Sequence, residues 1–238
     1  MSILYIGNKL SQFGYSPSGV ETLGEKLGEF FPVRSISNKK SQIFRIADMI
    51  WSMIRNIKTY EIVLIDTFSG KAFYYAIICS LLSIAFKKKY ILILRGGDLP
   101  RSIRLKRTIS TLIFNFAHYN IVPSLYLKKH CNSINVKSKY IPNFIEIKKY
   151  RFKKRSLCEP LLLWVRSFHE VYNPQMAIFV LNELQKNYPT AKLCMVGPDK
   201  DGSLNVCNRL ARELGLEESV KFTGFLDKSK WIDLSAGY

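Results

Sequence analysis

The sequence predicts an α/β protein built from two parallel-sheet domains, the second of them incomplete. Two observations carry this. Short apolar runs of four to six residues alternate with longer stretches of helical period along the whole chain, and strand–helix–strand alternation implies right-handed crossovers and a parallel sheet. The pattern then lapses over Phe144–Glu159, a charged segment, and resumes at Leu161. The expected division is 1–143, a linker at 144–159, and 160–238.

In the first domain, Ile3–Ile6 reads as the opening strand. A loop from Gly14 to Gly19 leads into a helix, with Ser18 and Glu21 in capping-box spacing. Phe31–Ile36 is a second strand. Ile43–Ile57 is helical by the period of Ile43, Ile46, Ala47, Ile50 and Ile54. Ile62–Asp66 is a compact buried strand. Ala72–Phe86 follows as an apolar helix, shorter than the roughly 20 residues that span a bilayer. Tyr90–Leu94 is a strand running into Arg95-Gly96-Gly97-Asp98, and Arg104–Phe116 is a helix. Tyr119–Val122, a short helix over Ser124–His130 and a strand at Lys139–Ile141 complete the domain.

In the second domain Leu161–Val165 is a strand of the kind buried on both faces. Its helix carries Met176, Phe179, Val180, Leu184 and Tyr188 on one side. Lys192–Val196 is the next strand, and the helix Leu204–Leu214 ends at Gly215, a C-terminal glycine cap. Val220–Phe222 is the third strand, and Asp227 caps a last helix.

Charge narrows the function classes. The chain has 36 Lys and Arg against 18 Asp and Glu, a formal charge of +18. Residues 1–150 hold 23 of those bases and 8 of the acids, an excess of 15, while 151–238 are nearly balanced. A basic half suits nucleic acid, an anionic membrane surface or phosphorylated substrates. No helix-turn-helix, zinc or RNP-type pattern supports nucleic acid. The basic clusters are Lys87-Lys88-Lys89, Arg101 to Arg107, and Lys148 to Arg155. The five cysteines include no C-x-x-C pair, and Cys79, Cys158 and Cys194 lie in or beside apolar runs, as reduced core thiols do. The three histidines show no metal-ligand spacing, so no metal is expected. The opening apolar run is too short for a signal peptide, and a cytoplasmic protein, peripheral at the inner face of the membrane, is the expectation.

Ligands of open parallel sheets bind beyond the carboxyl ends of the strands, and five segments fall there. Glycines in Gly14–Gly19 allow close backbone approach. Arg95-Gly96-Gly97-Asp98 adds a cation, a tight turn and a carboxylate. Ile141-Pro142-Asn143-Phe144-Ile145-Glu146 follows the sixth strand. Arg166 ends the strand Leu161–Val165, and Val196-Gly197-Pro198-Asp199 ends the next one.

These segments together resemble the GT-B glycosyltransferases of family 4. There a strand ending in Gly-Arg precedes a helix and a strand with a small glycine turn. Here Arg166 and Gly197 are the counterparts and would bind the donor. Arg95-Gly96-Gly97-Asp98 resembles that family's His-Gly-x-Asp segment, so Arg95 would stabilise phosphate, and Asp98 would bind a sugar hydroxyl or orient the arginine. Gly14, Gly19, Gly96 and Gly97 would line the cleft. The segment Pro142–Glu146 resembles Pro-Asn-Gly-Ile/Val-Asp, with Phe144 and Glu146 as departures. The lysine expected about five residues after Arg166 is absent, with Ser167 to Asn173 reading SFHEVYN. The Glu-x7-Glu segment that contacts donor sugar and ribose is also missing.

The resemblance implies two Rossmann-like domains of GT-B type and transfer of a sugar from a nucleotide sugar. The acceptor would be a glycan or a lipid-diphosphate-linked one, in cell-surface polysaccharide synthesis, with retained configuration and no cofactor. The alternative is a truncated, inactive relative that binds a membrane or partner through its basic domain.

Overall fold

A computed structural model describes residues 1–13, 15, 17–150, 152–155 and 159–238. Gly14, Ser16, Arg151, Ser156, Leu157 and Cys158 lie outside the described residues, and with them the expectations placed on Gly14, Arg151 and Cys158. The chain divides into two compact units, Met1–Phe144 and Ile145–Tyr238.

The first unit is a six-stranded parallel sheet in the order β2-β1-β3-β4-β5-β6. The strands are β1 Ile3–Ile6, β2 Val33–Ile36, β3 Ile62–Thr67, β4 Lys89–Leu94, β5 Tyr119–Val122 and β6 Lys139–Tyr140. Helices α1 Gly19–Gly28, α2 Gln42–Arg55, α3 Phe73–Ala85, α4 Leu99–Leu105, α5 Arg107–Phe116 and α6 Leu125–Ser133 connect them. The stretch Arg104–Phe116, expected as one helix, is parted at Lys106, where φ −126° and ψ 44° interrupt the helical backbone.

Because strand side chains alternate, the two sheet faces build separate cores. Leu4, Ile6, Val63, Ile65, Leu92 and Leu94 point towards the layer containing α2, α3 and α5. Tyr5, Leu64 and Ile93 point the other way, towards Val20 and Leu23 of α1. Strand order reverses at β1, so the ends of β1 and β3 flank the topological switch point, where open sheets bind ligands.

The second unit is a parallel sheet of β7 Leu161–Val165, β8 Lys192–Val196 and β9 Val220–Gly224, in that order, with α7 Pro174–Gln185, α8 Ser203–Glu213 and α9 Lys228–Ser235. Strand β8 is central and the more buried. Strand β7, expected to be buried on both faces, is an edge strand whose residues are half-buried or exposed. Gly215 takes φ 67° after α8, as its glycine cap requires. Asp227 stands at the N-cap of α9, but its side chain makes no capping hydrogen bond there.

Two helices bury only part of their sequence stripes, Ile46 of α2 and Leu184 of α7 packing against the cores while other members stay outside. In α2 the buried residues are Arg45, Met49, Ser52 and Met53, whereas Ile43 is 78% exposed and Ile54 46%. The buried arginine explains this inner face. Its guanidinium donates to the carbonyls of Lys39 (2.8 Å) and Lys40 (2.7 Å) and to Asn8 Oδ1 (2.9 Å), which pins that face inward. In α7 the buried residues are Pro174, Ile178 and Leu181, and Met176, Phe179 and Val180 are exposed.

Candidate functional site

In the first unit the strand ends assemble a buried polar cluster. Arg95 follows β4, and its amide donates to the Thr67 carbonyl at the end of β3 (2.8 Å). Its Nε donates to Asp66 Oδ1 at 2.8 Å, and the phenol of Tyr5, from β1, donates to the same oxygen at 3.0 Å. Arg95 Nη1 donates to Asn143 Oδ1 at 3.0 Å. The Asp66 side chain is wholly buried, while that of Arg95 keeps 16% exposure. Burial raises the Asp66 carboxyl above its ordinary range, against the pull of Arg95. Burial also works against the charge of Arg95, but Asp66 outweighs it and holds the guanidinium protonated. The Tyr5 phenol is pushed up by burial and then by the Asp66 charge.

Gly19, the first residue of α1, is the floor for this arginine. A Cβ on Gly19 would stand 2.3 Å from Arg95 Nη2, so only glycine admits the guanidinium where it lies. Helix α1 is fastened by Glu21, whose carboxylate accepts from the Ser18 amide (2.9 Å) and the Ser11 hydroxyl (2.5 Å). Those donors hold the Glu21 carboxyl below its usual value, although burial opposes them. The Ser18 hydroxyl donates to the Asn8 carbonyl instead (2.6 Å). Gly19, Arg95, Lys139 and Asn143 face a cavity of about 630 Å³ whose remaining wall is largely apolar, from Leu64, Ile93 and their neighbours.

Not every expected residue joins this cluster. Gly96, at φ 93°, and Gly97 form the exposed turn after β4. Asp98 is exposed at the N-cap of α4 and makes no ion pair with Arg95. The carboxylate that orients Arg95 is Asp66, because it lies on the adjacent strand while Asp98 has been carried off by the glycine turn. Asp66 and Tyr5 were missed by the motif reading. The available signal was an acid closing an otherwise apolar strand, Ile62–Asp66.

In the second unit Arg166 follows β7. Its guanidinium lies over the ring of Tyr172, 4.2 Å from the centroid, a cation–π contact. Its carbonyl is pressed against Gly197, where a Cβ would come within 1.6 Å. Phe168, fully buried, packs against Trp164 and Phe222 and anchors the loop after Arg166. Asp201 fastens the other side, accepting from the Glu170 amide (2.8 Å) and the Ser203 hydroxyl (2.6 Å), with His169 Nδ1 at 3.6 Å. The Ser203 hydroxyl foremost, then the Glu170 amide, lowers the Asp201 carboxyl. Two loops are thus set around Arg166, and an aromatic ring supports it. Among the described residues no group of three His, Cys, Asp or Glu side chains is placed to hold a metal.

Residues 146–235 match the family model of glycosyl transferases group 1. Among solved structures, the chain is similar to HepE of Anabaena, crystallised with UDP and glucose, at 16% identity over 99% of this chain and 72% of that one, with a TM-score of 0.71. It is also similar to the lipopolysaccharide outer core galactosyltransferase WaaB, at 16% identity over 99% of this chain and 71% of that one, TM-score 0.58. A glycosyltransferase from Rickettsia africae matches at 13% identity over 98% and 70%, TM-score 0.58. No curated protein sequence matches. The class is therefore a GT-B glycosyltransferase fold, in two Rossmann-like units. Its second unit matches a transferase family, the glycosyl transferases of group 1.

Proposed function

We propose that this protein transfers a sugar from a nucleotide sugar to a glycan or lipid-linked acceptor, with retention of configuration, in the assembly of a cell-surface polysaccharide. The observation that carries the reading is Arg166, a permanent cation at the carboxyl end of β7 inside the segment that matches the group 1 family. A leaving diphosphate gains negative charge as the glycosidic bond breaks, and a preorganised cation stabilises that change. Tyr172, stacked beneath Arg166, limits the arrangements open to the side chain. In the first unit Arg95 offers Nη2, which makes no hydrogen bond among the described residues, to a phosphate or sugar oxygen. Asp98, Gly96 and Gly97 border that place in sequence, and Gly197 shapes the turn beside Arg166. The reading needs no metal. UDP and glucose, bound by HepE, name the first donor to try.

Isothermal calorimetry against UDP-, GDP- and ADP-sugars tests this. One nucleotide should bind, and Arg166→Ala should weaken it by about tenfold or more, the worth of a charge-assisted hydrogen bond. No binding tighter than millimolar across the panel would overturn donor recognition by this chain.

A further inference from the structure

Helix α2 carries two opposed faces, and the apolar one points to solvent. At 100° per residue Ile43, Phe44, Ala47, Ile50, Trp51 and Ile54 fall within one arc of about 120°. Phe44 is 69% exposed and Trp51 60%. The opposite arc, Arg45, Met49, Ser52 and Met53, fills the core. An amphipathic surface helix ordinarily buries its apolar stripe. Here Arg45 occupies the inner face through its three hydrogen bonds, and Ile43, Phe44, Ala47, Trp51 and Ile54 stay exposed among the described residues of this unit.

Charge says what covers this face. Lys39 and Lys40 precede the helix, Arg55 closes it and Lys58 follows, all four exposed. Between Ser37 and Lys58 the one acid is Asp48. Its carboxylate is half-buried and accepts from the Ser37 hydroxyl at 2.5 Å. Lys39, Lys40, Phe44 and Trp51 also border a shallow groove of about 570 Å³. On α3, which packs beside α2, the exposed Tyr74 lies under the ammonium of Lys106 (4.7 Å), and the preceding Leu105 is 70% exposed. Arg101, Arg104 and Arg107 are exposed beside it. Aromatic and aliphatic side chains ringed by bases, on a helix of 14 residues, match the chemistry of an anionic bilayer surface.

We propose that the outer face of α2, led by Phe44 and Trp51 and flanked by Lys39 and Lys40, docks this protein on an anionic lipid bilayer. The helix lies in the plane of the interface. Its apolar stripe enters the boundary of head groups and acyl chains, and the lysines meet lipid phosphates. The proposal is independent of sugar transfer, which nucleotide calorimetry reports on separately.

Flotation of the full chain with vesicles of phosphatidylcholine alone, and of phosphatidylcholine with phosphatidylglycerol, is the test. Binding is expected on the anionic vesicles, falling as salt rises, with a blue shift of tryptophan emission that Trp51→Phe removes. Phe44→Ser with Trp51→Ser should lower partitioning at least ~tenfold, given the apolar area withdrawn. Lys39→Gln with Lys40→Gln should lower it about twenty-five-fold on anionic vesicles only, about fivefold for each base. All four positions are exposed, and unchanged thermal unfolding confirms that the variants fold. The idea is overturned by equal binding to both vesicle types. It is overturned equally by wild-type binding in the serine variant, or by binding to neither vesicle. Self-association that the serine variant abolishes, with no vesicle binding, would assign the face to a protein partner instead.

Discussion

Gly19 shows how much one hydrogen in place of a methyl can decide. Its missing Cβ leaves the seat in which Arg95 lies, with Asp66 behind the guanidinium and Asn143 beside it. Alanine in the first turn of a helix favours the helix, so Gly19→Ala should leave the melting temperature equal or higher. The same methyl must push Nη2 from its place. If Arg95 contacts a phosphate or sugar oxygen of the ligand, Gly19→Ala should weaken nucleotide-sugar binding or turnover by about tenfold, while Arg95→Ala is no worse than severalfold beyond that. Unchanged binding in a well-folded Gly19→Ala would remove Arg95 from the reading and leave Arg166 untouched. Cys79 makes a second residue-scale case. It is fully buried in α3, and burial pushes its thiol up to about 12. The protonated form is the one favoured, and alkylating reagents need the thiolate. Iodoacetamide followed by peptide mass mapping should find Cys79 unmodified in the native protein and modified in denaturant. Rapid native labelling would contradict its burial.

At the scale of elements, alternation of period and punctuation by glycine located most strands and helices, because backbone sterics and burial act locally. Strands Ile3–Ile6 and Lys192–Val196 agree with the structure at both ends. Which way a helix faces is not local. The period of α2 was visible, but its inner face was set by Arg45 reaching carbonyls at Lys39 and Lys40 and a side chain at Asn8. Nothing in a helical stripe announces a buried guanidinium with three acceptors. The same holds for α7, where Ile178 and Leu181 are buried and Met176, Phe179 and Val180 are exposed. For the candidate site, the positions of Arg95 and Arg166 at strand ends and of Gly197 in the turn after β8 were legible, because an apolar run that stops at a cation or a glycine is a sequence pattern. Asp66 and Tyr5 were not, since their meeting depends on β1, β3 and β4 being neighbours in the sheet. Asp98 illustrates the converse, being adjacent in sequence to the arginine's turn and yet unpaired with it.

For the whole molecule, the decisive fact is that the two units have separate cores. Met49, Phe73 and Leu92 belong to one, and Phe168, Leu181 and Met195 to another. Cooperativity follows shared burial, so each unit should melt as its own transition. Two substitutions address them one at a time. Arg45→Ala removes three charge-assisted hydrogen bonds, to the part-buried Lys39 and Lys40 carbonyls and the Asn8 amide oxygen, together with the packing of a buried side chain, at a cost of about 2–3 kcal/mol to the first unit. Gly197→Ala drives a methyl into the Arg166 carbonyl, and relieving that overlap costs the second unit about 1–3 kcal/mol. In scanning calorimetry Arg45→Ala should lower one transition by roughly 5–10 °C and Gly197→Ala should lower another by a similar amount. Nucleotide binding through Arg166 should raise the transition that Gly197→Ala lowers. A single transition moved equally by both substitutions would show that the two sheets fold as one cooperative body.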